Sequence, residues 1–174
     1  MKTIILRPAL LIFTFLFTAS FNPAANRIEW LSWEEAIERS KSDSNPKKIF
    51  VDVYTDWCGW CKRMDAVTFN DPKVKAYMQN NFYMVKLNAE QKEDIKFNNR
   101  TFKYVASGRR GYHELAAELL QGQLSYPTVV FLDEEVKIVT VVPGFQDANK
   151  FLKIASYVGD NVFKSTRWED YDNK

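Results

Sequence analysis

Cysteine is almost absent from this chain: 2 of its 174 residues, at positions 58 and 61. That leaves no framework of structural disulfides to brace a fold. With a single histidine besides, the chain also falls short of the four ligands a structural zinc takes. Excess charge is missing too. The formal charge of +2 comes from Lys2 and Arg7, because positions 1–25 hold no acid and the remainder balances 22 basic against 22 acidic residues. A neutral domain carries no electrostatic footprint for nucleic acid. Long apolar runs are lacking as well: the one around Ala9–Phe17 extends over about 13 residues, against the roughly 20 a membrane span requires. What is present, 46% hydrophobic and 26% charged residues, describes one globular domain with a core rather than a disordered or fibrous chain.

Positions 1–25 read as a signal peptide: Lys2 and Arg7 give a positive start, Ala9–Phe17 a short apolar stretch, and small residues follow at Thr18-Ala19-Ser20 and Ala24-Ala25. The rival reading, an uncleaved membrane anchor, is disfavoured by length. No cysteine lies near the cleavage region, which excludes a lipid-anchored lipoprotein. Membrane contact is thus expected through the signal peptide only, and the mature domain, 26–174, is expected in an oxidising compartment where a close cysteine pair rests as a disulfide.

The pair stands in Trp57-Cys58-Gly59-Trp60-Cys61-Lys62. Before it, Lys47-Lys48-Ile49-Phe50-Val51-Asp52-Val53-Tyr54 is an apolar, β-branched and aromatic run of buried-strand type. Thr55 and Asp56 turn the chain, and Cys58 falls where a helix begins, with Lys62, Arg63 and Met64 as helix formers behind it. Unpaired N–H groups and the positive end of the helix dipole there favour a thiolate, which makes Cys58 the nucleophile. Cys61, one turn on, shares its face and lies within bridging distance. Asp52 sits inside a run expected to be buried on both faces, and a buried carboxyl has a raised pKa suited to relaying the proton of Cys61.

Phe50–Lys62, with its acid six residues before the first cysteine, Trp57 just before it and Lys62 just after the second, resembles the active-site segment of the thioredoxin superfamily. Ser125-Tyr126-Pro127-Thr128, followed by Val129–Leu132, resembles that family's cis-proline loop. Within the superfamily the chain is most similar to periplasmic thioredoxin-like proteins of bacteria that carry Cys-Gly-Trp-Cys. The resemblance, spanning about 30–158, implies an α/β thioredoxin-like fold, a central mixed sheet flanked by helices. It also implies a periplasmic location and the same relay role for Asp52. Trp60 departs from the proline common in thioredoxin itself, and because the residues between the cysteines govern redox potential in this family, the direction of electron flow stays open.

The remaining elements follow the same order. Ser32 and Glu35 form a capping box for a helix burying Trp33, Ala36 and Ile37. Asp71-Pro72 opens a helix to about Asn80 with Val74, Tyr77 and Met78 inward. Phe82–Leu87 is a second central strand, His113–Leu120 a short helix, Val129–Leu132 and Lys137–Val142 two strands about an acidic turn, and Asp147 caps a last helix reaching Val158. The stretch at about 92–112 is longer than a bare thioredoxin needs, and Ile95–Val105 alternates around Asn98-Asn99 as an inserted β-hairpin. It is expected near the cysteines, shaping substrate access rather than holding the core. His113 is read as a solvated or capping residue, Arg109-Arg110 as an exposed loop, and Trp168–Lys174 suggests no function.

These readings converge on an exported thiol-disulfide oxidoreductase that reduces protein disulfides. Cys58 attacks, a mixed disulfide forms, and Cys61 resolves it with Asp52 accepting its proton. Trp57, Gly59, Trp60, Tyr126 and Pro127 border the substrate, the extended Tyr126 backbone pairing with it as an added strand. Metal and cofactor are not required. Partners are proteins with disulfides or thiols, and the resemblance implies a membrane-bound electron-transfer reductase for regeneration. Oxidation or isomerisation of thiols is the alternative within this chemistry. Outside it stand a Cu(I)-binding module, which Pro127 would crowd and for which Met64 is the one nearby methionine, and an inactive interaction domain, which two intact cysteines weaken.

Overall fold

The computed structural model describes residues 27–173. The signal peptide expected at positions 1–25 lies outside them, and no helix among the described residues is long and apolar enough to cross a membrane.

The sheet is built on β2 (Lys48–Tyr54), whose residues are buried on both faces up to a half-buried Tyr54. It pairs in parallel with β3 (Phe82–Asn88), Phe50 opposite Met84 and Asp52 opposite Lys86. On its other side it pairs antiparallel with β8 (Thr128–Leu132), Val53 opposite Thr128. A short strand β1 (Trp30–Leu31), which the sequence reading lacked, joins the outer edge of β3, and β9 (Ile138–Pro143) closes the far edge, giving the order β1-β3-β2-β8-β9. The parallel pair β2–β3 and the antiparallel pair β8–β9 match the expected mixed sheet.

Alternation along β2 sends Ile49, Val51 and Val53 to one face and Phe50, Asp52 and Tyr54 to the other. The first face packs on α1 (Trp33–Ser42) and α4 (Glu114–Leu119) through Trp33, Ala36, Ile37, Leu115 and Leu119. The Ser32–Glu35 capping box is present, each side chain bonding the other's backbone N–H. The second face packs on α2 (Gly59–Val67), α3 (Pro72–Asn81) and α5 (Ala148–Gly159). At its centre Phe50 lies edge-on to Phe69, Phe131 and Phe151, with ring centroids 5.1–5.8 Å apart. Asp71 and Asp147 cap α3 and α5, each carboxylate accepting two backbone N–H bonds. After α5, a 3-10 turn at Val162–Lys164 and α6 (Trp168–Asp172) fold the tail back, Trp168 and Tyr171 lying 5.2 Å from Tyr157.

The insert differs from its expected form in two ways. It contains two ladders rather than one hairpin through Val105: β4 (Ile95–Phe97) with β5 (Arg100–Phe102), turning at Asn98 and Asn99 with φ of 50° and 60°, and β6 (Tyr104–Val105) with β7 (Tyr112–His113). The Asn-Asn turn suits the left-handed conformation that a tight hairpin needs. The first hairpin also fails to reach the cysteines. Its tip lies beside Ile37 and Lys41, at the end of α1 that leads into the start of β2, whereas Cys58 follows the other end of β2. Ile95 and Phe102 are buried in the core with Leu115, and Phe97 meets Trp33 edge-on at 5.3 Å. This hairpin therefore holds the core, because its apolar side covers the flank of α1 that would otherwise face water.

His113 is not solvated. It is fully buried; its N–H bonds Ala89 O at 2.7 Å, and Nδ1 accepts from Leu115 N–H at 3.3 Å, capping α4. Nδ1 as acceptor leaves the proton on Nε2, which donates to Glu93 O at 3.1 Å.

Candidate active site

Cys58 ends the turn after β2 and is the N-cap of α2, while Cys61 lies within the helix's first turn. The two are joined as a disulfide with Cα atoms 5.3 Å apart, and Cys58 Sγ accepts the Cys61 N–H at 3.1 Å. Both are nearly inaccessible. A sulfur that already accepts a helix N–H is held where a thiolate is stabilised once the bond opens, since the same donor and the helix dipole remain in place.

Beneath α2, Asp52 occupies the face of β2 shared with Phe50 and is 2% exposed. Burial pushes its carboxyl up to about 6; the Lys86 cation opposes this and the Asp65 carboxylate adds to it. Lys86 comes from the facing position on β3, its Nζ 3.3 Å from Asp52 Oδ2 and in contact with Asp65 of α2. The ammonium also lies 4.9 Å from the Trp30 ring and 5.1 Å from that of Tyr54. Asp52 Oδ1 has no hydrogen-bond partner among the described residues. It is a buried acceptor with an open lone pair. Lys86 and Asp65 were not singled out from sequence; the signal for Lys86 was a cation inside the apolar run Phe82–Leu87.

The Tyr126–Pro127 peptide bond is cis. Thr128 pairs with Val53, so Pro127 borders the end of β2 from which the cysteine turn departs. The loop is anchored by the Gly144 N–H, 2.8 Å from Pro127 O. Gly144, at φ +84°, turns the chain out of β9 in a conformation that disfavours other residues, and Phe145 follows it.

Two aromatic groups flank the disulfide. Trp57, half exposed, meets Tyr126 edge-on at 6.0 Å and donates its indole N–H to Glu90 at 3.0 Å. Trp60, 59% exposed, lies 5.4 Å from Phe145. Gly59 between them is open, with nothing within 4 Å of the position a Cβ would take. The structure thus brings Asp52, Trp57, Gly59, Trp60, Tyr126 and Pro127 to one end of the sheet around Cys58 and Cys61. Glu90, Arg110, Phe145 and Arg63, also at this rim, were missed because three of them lie far from both motifs in sequence.

A mixed sheet between helices, with a cysteine pair at a helix start under a cis proline, defines a thioredoxin-fold protein with a dithiol/disulfide centre. Residues 33–159 match the thioredoxin-like domain model, and the chain belongs to that family. Among solved structures, it resembles a putative disulphide-isomerase from Bacteroides thetaiotaomicron at 26% identity and TM-score 0.54, covering 82% of this chain and 97% of that one. A thioredoxin-fold protein from Helicobacter pylori shares the fold at 18% identity and TM-score 0.55, over 73% and 78% of the two chains. Among curated proteins, the thiol:disulfide interchange protein DsbD of Actinobacillus pleuropneumoniae is 30% identical over 118 residues, 67% of this chain and 17% of that protein. The chain spans between 11% and 18% of the length of the first curated relatives it matches.

Proposed function

We propose that the protein is an exported, periplasmic protein-disulfide reductase. The observation that carries this reading is the Cys58–Cys61 pair at the start of α2 with the raised, half-unpaired carboxyl of Asp52 below it. In the dithiol form, the Cys58 thiolate attacks one sulfur of a substrate disulfide; a mixed disulfide forms and the other substrate sulfur leaves as a thiolate. Cys61 then gives its proton to Asp52 and attacks Cys58 Sγ, so the second substrate sulfur leaves. Two electrons have passed to the substrate and the protein is left as the disulfide. With an acid near 6, Asp52 is ionised at neutral pH and ready to accept that proton.

Trp57, Trp60 and Tyr126 offer an apolar border to the substrate segment, Gly59 leaves its approach open, and the loop at Pro127 presents the Tyr126 backbone for strand-like pairing. The similarity to a thiol:disulfide interchange protein supports partners with disulfides or thiols, and a membrane-bound reductase as the source of electrons is what the family resemblance implies. The test is the equilibrium potential of the Cys58–Cys61 couple. A value near roughly −270 mV supports a reductase, and one near roughly −120 mV reassigns the protein as an oxidant. Limiting alkylation of the reduced protein should label Cys58 before Cys61; the reverse order would overturn the nucleophile assignment.

A further inference from the structure

The rim around the disulfide is cationic although residues 26–174 are neutral as a whole. Two arginines lie over the two aromatic groups that flank the pair. The Arg110 guanidinium lies 4.2 Å from the centroid of the Trp57 ring, and that of Arg63 lies 5.8 Å from Trp60 and 5.9 Å from Phe145. Both side chains are exposed. A cation–π contact uses none of the guanidinium's N–H donors as hydrogen bonds, so they stay available for a carboxylate. Among the described residues neither arginine side chain has an ion-pair or hydrogen-bond acceptor, and the same holds for the side chains of the adjacent Lys62 and Arg109.

The acids at this rim are already engaged by neutral donors. Asp56 accepts from the Asn88 amide at 3.1 Å, and Glu90 from the Trp57 indole at 3.0 Å. Arg110 is also held in place. Its N–H closes a turn on Ser107 O at 3.2 Å, and the next N–H, of Gly111, bonds Tyr104 Oη at 2.9 Å. A side chain at Gly111 would collide with the Tyr104 ring, so the second ladder of the insert delivers Arg110 to Trp57 with little freedom. The insert therefore reaches the site after all, through its β6–β7 loop rather than its first hairpin.

We infer that Arg110 and Arg63 select substrate segments that carry carboxylates beside the reacting cysteine, one arginine on each side of the disulfide. This rests on the reductase reading and names the substrate class for it. The experiment uses the reduced protein and three peptide disulfides identical except for Glu, Gln or Lys at the positions flanking each cysteine. At low ionic strength the Glu peptide should be reduced about tenfold faster than the Lys peptide, with Gln between. The ratio should shrink in about 0.5 M salt, where exposed charges are screened within a few ångströms. The double variant Arg63→Glu/Arg110→Glu should invert the order. Reduction of all three peptides by the unaltered protein at one rate overturns the proposal while leaving the reductase reading intact, and so does a charge preference that salt and the double variant leave unchanged. If none of the three is reduced, the reductase reading fails and takes this proposal with it.

Discussion

Asp52 is the residue at which stability and chemistry conflict. Its folded carboxyl titrates near 6 against an ordinary 3.8, so between those values the folded state holds a proton that the unfolded chain has lost. Stability from this group is therefore greatest below about 3.8, falls as pH rises to about 6, and is level above that, a loss of about 3 kcal/mol in all. Asp52→Asn should remove that slope and stabilise the oxidised protein at pH 7.5 by about 1–3 kcal/mol, because Lys86 keeps Asp65 as its partner. Urea unfolding at pH 4 and 7.5 reads both effects. The same variant should slow resolution of the mixed disulfide; unchanged turnover across pH 6–9 would make Asp52 purely structural. Lys86→Met removes the cation that lowers the Asp52 pKa, so the acid limb of the turnover profile should move above 6, and an unmoved limb would refute the assignment of that limb to Asp52.

Among the elements, helices with a cap in the sequence were legible: Ser32, Asp71 and Asp147 each satisfy the N–H groups that sequence spacing pointed to. The insert was legible only in part. Its Asn-Asn turn and apolar alternation specify a hairpin locally, but alternation does not say which neighbour the apolar side covers, and it covers α1. Phe102, on the apolar side of the hairpin, is 2% exposed. Phe102→Ala should therefore cost about 3–5 kcal/mol, measured by denaturant midpoint, and exchange of residues 94–106 for a Gly/Ser linker should unfold the domain. A folded linker variant with an unchanged midpoint would contradict the core role. β1 escaped notice because two residues hold no periodicity, and its pairing is set by β3.

At the scale of the whole molecule, the two faces of the sheet have different tasks. One is an aliphatic core closed by α1, α4 and the first hairpin; the other is an aromatic core that carries α2 and, through it, the cysteines. The tail extends the second face: Trp168 and Tyr171 pack on Tyr157, and Asp172 pairs with Lys150 and Lys153 of α5. Truncation after Thr166 should thus lower the melting temperature by roughly 3–6 °C, about 1–2 kcal/mol for a domain this size, while leaving exchange on a small disulfide intact because α6 packs on α5. Loss of exchange in the truncated, folded protein would show that the tail supports α2.

The pairing of the two cysteines was determined by sequence alone, since two residues between cysteines at a helix start place both sulfurs on one face whatever the rest of the chain does. The buried setting of Asp52 was equally legible, because the consecutive apolar residues Ile49-Phe50-Val51 before it and Val53-Tyr54 after it leave neither face of the strand wet. Tertiary structure decided everything that depends on distant segments meeting: Lys86 opposite Asp52 by the register of β2 with β3, Phe145 beside Trp60 by the turn at Gly144, Arg110 over Trp57 by a two-residue ladder. Local patterns fix which face of an element is apolar. They leave open which partner that face finds, and the charge and shape of this site arise from those partners.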